Sequence, residues 1–261
     1  MKENKTQKKI WVILLTVLVF LSGTMLGFAT AFRVDDVTVE VSGISSASVE
    51  EAQALRTRLQ EVYVDENILF VNDKNAKTAV KEFPYFRITA FKKDYPNRIV
   101  LTVKEDAEIY AVKQNEEYLI LGGDGTILGI RQDSANRLDG EDNVVISGVE
   151  VQGAKGETVN GGAVFTTLLS FCDGLSNALN GIRDNIVSIE VSNYAPHYHI
   201  NTREGVKIYV GNPQNLTQEK AKSVAELYLG LSDEERLMGR IAVDDIEGEI
   251  IISYDNEDFI N

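Results

Sequence analysis

The residues with the most obvious chemical potential in this 261-residue chain are His197 and His199, two positions apart in NYAPHYHINT. On a β-strand that spacing puts both imidazoles on one face, where they could begin a zinc site. A zinc site also needs a third ligand and an open position. The sequence has no H-E-x-x-H, and its only cysteine is Cys172. The pair is therefore read as surface residues of a strand. Cys172 sits in an apolar helical run and reads as a small buried hydrophobe; no G-x-S-x-G elbow accompanies it. Asp35-Asp36 and Asp244-Asp245 could suggest acid–base work, but adjacent strand residues face opposite sides. With 40 acidic residues in the chain, such pairs also arise by chance. Gly122-Gly123-Asp124-Gly125 invites a phosphate-loop reading. It lacks the Lys-Ser/Thr that would meet phosphates, and no helical pattern follows it. No catalytic residue, metal site or cofactor is expected, and the chain is read as non-enzymatic.

Charge and hydropathy set the context. The formal net charge is −14, yet residues 1–9 carry +3, leaving −17 on everything after Phe32. So acidic a body repels phosphate backbones, which argues against nucleic-acid binding. Ile10 to Phe32 is a run of 23 residues without a charge. As a helix it would be ~35 Å long, enough for a hydrocarbon core of ~30 Å. Lysines precede it and acids follow, so the positive-inside rule predicts a cytoplasmic tail (1–9), a transmembrane helix (10–32) and an extracytoplasmic body. Ala29-Thr30-Ala31 resembles a signal-peptidase site, but signal h-regions run only ~7–15 residues. Gly23 and Gly27 form a GxxxG, a spacing common by chance in such helices.

The first unit, 35–105, reads strand, helix, helix, strand, strand. Val37–Val41 alternates. Ser48 with Glu51 is a capping-box signature, and Ala52, Leu55, Leu59 and Val62 form a helical stripe. A second helix is expected from Asn72 or Asp73 until Pro84 stops it. In EFPYFRITAFKKDYPNRIVLTVKE, residues Phe86, Ile88 and Ala90 are expected to face inward. Tyr95-Pro96-Asn97 turns the chain, and Ile99, Leu101 and Val103 return. The second unit, 106–255, reads as a larger mixed α/β domain with an extended sheet. It should hold hairpin strands at 109–114 and 118–121 and further strands at 126–130, 144–146, 186–191, 198–202, 206–210, 241–243 and 249–254. Two helical stripes interrupt them, Phe165 to Leu179 and Ala221 to Leu231. The overall class is α+β.

These motifs resemble a known family. VEVSG, ENILFVN, FPYF and YPNRIVLTVKE, behind a short tail and an apolar helix, are similar to the polypeptide-transport-associated (POTRA) domain of the cell-division proteins FtsQ and DivIB. GVKIYVGNPQNLTQEKAKSVAELY resembles a passage of the same family's second, β domain. Asp65-Glu66 departs from the glycine often found before that Asn.

The resemblance implies a membrane scaffold at the division septum. Its partners would be the bitopic coiled-coil proteins FtsL and FtsB (DivIC in Gram-positive bacteria), and through them it would regulate septal peptidoglycan synthesis. It further implies that the last strand, here Glu249, Ile250, Ile251, Ile252, Ser253 and Tyr254, is an edge to which a partner adds a strand. Some relatives carry an Arg-Tyr pair where this chain has Asp244-Asp245, and many have a longer tail than 256–261. The competing expectation is a POTRA-bearing chaperone or transport module for extracytoplasmic polypeptides.

Overall fold

The structure, a computed structural model, describes residues 5–192, 197–213, 216–246 and 249–256. Residues 1–4 of the expected cytoplasmic tail and 257–261 of the expected C-terminal tail lie outside the described residues. The class is α+β, and the chain divides into two compact units. One comprises Met1–Val80 with Phe86–Glu105, the other Lys81–Tyr85 with Asp106–Asn261.

The first unit begins with helix α1 (Lys5–Ala31), which contains all but the last residue of the uncharged run. Among the described residues no helix is long and apolar enough to cross a membrane. The side chains of α1 are described without a break only over 11–24, and all of those are exposed. Strand β1 (Asp36–Ser42), helices α2 (Val49–Tyr63) and α3 (Lys74–Ala79), and strands β2 (Phe86–Asp94) and β3 (Arg98–Glu105) follow in the order expected. They form a three-stranded sheet, β1-β3-β2, with β1 parallel and β2 antiparallel to β3.

Three local expectations need correction. Ser48 is the N-cap of α2, but its hydroxyl makes no cap hydrogen bond. It is buried and bonds instead to the Glu105 carboxylate, which also accepts from Ser45 N (2.6 Å) and Ser45 Oγ (2.8 Å). A buried carboxylate needs several donors, and that need outcompetes the capping box. The last inward residue of α2 is Tyr63 rather than Val62. Its hydroxyl donates to Asn72 O (2.6 Å) and accepts from Ala76 N (3.0 Å), joining α2 to α3. Third, β2 does not keep its alternation. A bulge between Ile88 and Ala90 inverts the parity, so Ala90 is exposed and Phe91 lies opposite buried Leu101. Phe91 then packs on Tyr63, ring centroids 5.7 Å apart.

The second unit is one nine-stranded sheet. Strands β4 (Glu108–Gln114), β5 (Glu117–Gly122) and β6 (Ile127–Arg131) form a meander, with the GGDG run as the turn before β6. Gly125 there has φ +80° and Leu169 close by, so glycine suits the site on both counts. A strand, not a helix, follows that turn, as the rejection of a phosphate loop requires. Next come β7 (Val144–Ser147), α4 (Gly162–Ala178), β8 (Ile186–Ser192), β9 (His197–Thr202), β10 (Lys207–Gly211), α5 (Gln218–Gly230), α6 (Asp233–Arg236), β11 (Arg240–Ile246) and β12 (Glu249–Asp255).

The sheet order is β12-β11-β10-β9-β8-β7-β4-β5-β6. The β7–β8 and β10–β11 pairs are parallel because each is joined across a helix, α4 and α5 respectively. Ile189, Ile200, Ile208 and Ile241 share one row of the register and are all buried in the core that includes Phe165, Phe171, Val224 and Tyr228 of the helices.

Gly174 is where α4 and α5 meet. A Cβ there would lie 2.7 Å from Ala221 Cβ and 2.8 Å from Gln218 O. Gly174→Val is therefore expected to cost about 1–3 kcal/mol of overpacking. Urea unfolding of the full chain in detergent measures this, and an unchanged midpoint would contradict the close approach.

Candidate functional site

Strand β12 lies at one end of the nine-stranded sheet, paired antiparallel to β11 in unbroken register from Ile246↔Glu249 to Arg240↔Asp255. No other described strand pairs with its outer side. The opposite end of the sheet differs. Strand β6 has five residues and a register shift against β5. Its Ile127 also exchanges backbone bonds with a loop, Ile127 N to Glu157 O (2.9 Å) and Gly156 N to Ile127 O (2.8 Å). Short length, a bulge and a covering loop are the usual means of blunting an edge. Strand β12 has seven residues, no bulge, and no charged side chain from 250 to 254.

Alternation divides the six expected contact residues. Ile252 and Tyr254 are partly buried, pack against the core, and stand opposite Val243 and Ile241. The Tyr254 hydroxyl reaches the carbonyls of Glu235 (3.2 Å) and Met238 (3.3 Å), tying the strand to α6 and the segment after it. Ile251 and Ser253 point the other way, and Ile251 is 48% exposed. Glu249 and Ile250 occupy the start of the strand, opposite Ile246 and Asp245; their side chains lie outside the described residues.

The histidines fall on the same open face. Register places Glu190, His199, Tyr209, Ala242 and Ser253 in one row across five strands. The His197 and His199 rings are 4.8 Å apart, and Tyr209 lies 5.6 Å from the first and 5.0 Å from the second. The guanidinium of Arg240 sits 5.9 Å from the Tyr209 ring. Partial desolvation, then the neighbouring His197, holds His199 below the ordinary imidazole range. No group of three potential metal ligands exists among the described residues. The sequence identified these histidines as strand surface. It did not show that Tyr209 and Arg240, from two other strands, join them, because cross-strand register is not written in local spacing.

Other possible chemical groups are accounted for structurally. Cys172 is fully buried, and burial pushes its thiol up to about 12. Asp36 pairs with Arg98 at 2.7 Å, and Asp35 accepts from Asn97 Nδ2 at 2.7 Å. Asp244 is exposed on the open face, opposite Ile251. A polar groove of about 580 Å³ beside the β4–β5 turn is lined by Lys113, Gln114, Glu150 and Gln152, with no nucleophile or histidine.

The densest charged cluster surrounds Glu108, which is 1% exposed. Arg131 binds both of its oxygens (3.1 and 2.7 Å), and Tyr85 Oη (2.7 Å), Arg137 N (3.3 Å) and Asn143 Nδ2 (3.3 Å) donate to it. Arg137 also stacks 3.3 Å over the Tyr85 ring. Both carboxylate oxygens are therefore occupied, which is architecture rather than acid–base chemistry. The network holds segment 81–85 and the polar loop 132–143 onto β4. Removing the carboxylate would leave two partly buried guanidiniums without it. Glu108→Ala should cost about 3 kcal/mol, the low end for breaking a buried pair because both arginines retain some solvent. A loss under about 1 kcal/mol in urea unfolding would refute this organising role.

Two curated proteins are similar to this chain. The cell division protein DivIB of Clostridium tetani is 23% identical over 168 residues, covering 62% of this chain and 60% of that protein. The cell division protein DivIB of Clostridium acetobutylicum is 26% identical over 89 residues, 34% of each chain. No protein-family model matches. The matched regions thus span about 60% and 34% of these relatives' own lengths. At modest identity, then, this chain is similar to proteins named cell division protein DivIB, the family that the motifs of its first unit resemble.

Proposed function

We propose that this chain is a non-enzymatic, membrane-anchored scaffold of the bacterial division machinery. In this reading α1 is a single-pass span with its N-terminus in the cytoplasm, and both units lie outside the membrane at the septum. The second unit captures bitopic coiled-coil partners of the FtsL and FtsB/DivIC type, and regulation of septal peptidoglycan synthesis passes through them. Support comes from the relatives named cell division protein DivIB and from the 23-residue uncharged run, all but its last residue inside a 27-residue helix.

The observation that carries the reading is the open edge of β12. An unpaired edge offers a row of donors and acceptors, and an added strand gains affinity from main-chain bonds. Half-exposed Ile251 offers apolar contact beside that ladder.

The test is a binding titration of residues 33–261 against the extracytoplasmic segments of such partners. Along a strand, successive N–H groups point to opposite neighbours. Ile251→Pro and Ile252→Pro therefore remove donors on opposite sides, one facing β11 and one facing outward. The outward-facing proline should weaken binding at least about tenfold while leaving the circular dichroism of the fold unchanged. Ile251→Asp, which keeps both donors, should weaken binding by a smaller factor. Wild-type protein that binds none of these segments would remove the partner assignment, and binding indifferent to both prolines would move the contact away from β12.

A further inference from the structure

Three of the first unit's exposed apolar side chains lie close to the exit of α1. Phe70 is 83% exposed, Tyr95 57% and Leu69 46%. All three lie in segments that grip the chain as it leaves α1. Ile68 N donates to Phe32 O (2.8 Å), Val34 N to Glu66 O (2.8 Å) and Asp65 N to Val34 O (3.0 Å). The Arg33 guanidinium pairs with Asp65 at 2.6 Å. From the other side, Asp35 N donates to Asn97 O (3.1 Å), in the turn that carries Tyr95. Lys93 Nζ donates to Leu69 O (3.3 Å), linking the loop to the strand before that turn. Residues 32–35 are thus clasped between loop 64–71 and turn 95–97.

We propose that Leu69, Phe70 and Tyr95 enter the interfacial layer of a phospholipid bilayer and seat the first unit on its surface. This rests on the reading of α1 as a span. Phe70 is two residues beyond Ile68, so no more than ~7 Å of chain separates it from the residue bonded to the helix exit. The headgroup layer on each side of the hydrocarbon core is about 5–7 Å thick. A side chain tethered so close to the exit can reach that layer. Aromatic and aliphatic side chains gain there what they lose in water, and the interface favours rings. Both signs of charge surround the patch, Arg33 and Lys93 against Asp65, Glu66, Asp35 and Asp94. The attraction is therefore apolar, and zwitterionic lipid suffices. Val49 provides the contrast. It is as exposed as Tyr95 but follows β1, a strand of seven residues and ~23 Å, at the far end of the unit.

Trp11 is the only tryptophan, which makes the test clean. Three forms of the full chain are placed in phosphatidylcholine bilayers brominated at acyl positions 6 and 7: the native protein, W11F with Phe70→Trp, and W11F with Val49→Trp. Position 11 reports whether α1 enters lipid. The indole at position 70 should lose emission about twofold to the bromines and resist aqueous iodide, whereas that at position 49 should do neither. If position 11 is quenched while position 70 behaves like position 49, the surface does not meet lipid and the proposal is overturned, leaving the span intact. If position 11 is not quenched either, the span itself fails and the proposal goes with it.

Discussion

An open β-sheet cannot satisfy all its backbone groups, and much of this molecule follows from where the unsatisfied rows are placed. Nine strands in one layer leave two edges, each a line of amides and carbonyls that must find water, protein or a partner. At β6 the chain covers part of its own edge: the segment around Gly156 and Glu157 bonds to Ile127, and the strand is short and bulged. At β12 the ladder to β11 runs without interruption, and the described residues supply no further strand. The two ends of one sheet have thus been treated in opposite ways. That asymmetry has a physical cost, because an apolar, regular edge invites unwanted pairing. A binding role for the edge gives a reason to keep it.

The same logic of satisfied polar groups fixes both units internally. Glu105 in the first and Glu108 in the second are buried carboxylates only three residues apart, each at the end of a strand. Glu105 collects Ser45 and Ser48 and so anchors the entry to α2. Glu108 collects Tyr85, Arg131, Arg137 and Asn143 and so anchors two irregular segments. Apolar packing alone would leave such loops poorly determined, since it is non-directional. A carboxylate with several aimed donors specifies their positions.

Much of this was legible in the sequence because it depends on local period. The stripes of α4 and α5, the 86–105 hairpin and the alternation of β9 and β10 all follow from spacings of 3.6 or 2. What failed depended on competition from distant residues. The Ser48 capping box looked complete, but Glu105, 57 positions away, holds the hydroxyl. The β2 bulge reversed Ala90 and Phe91, and Phe91 packs on Tyr63, 28 positions away on α2. The candidate edge was placed by family resemblance rather than by spacing. Only the sheet order shows that β12 is terminal. Only the register shows that Tyr209 and Arg240 stand beside the histidines.

The internal asymmetry of β12 bears on how an edge can bind without weakening its own fold. Ile252 and Tyr254 hold the strand to the core and to the carbonyls of Glu235 and Met238, so its attachment depends on the covered face. Ile251 and Ser253 do no such work and remain available on the open face. An added strand would therefore extend an already fixed ladder rather than order a loose one. The conformational entropy of ordering the template, roughly 1–2 kcal/mol per residue, would already have been met by folding. Specificity would then have to come from the open face, where Ile251, Ser253 and, further along the register, Tyr209 and His199 present a mixed apolar and aromatic surface beside the edge.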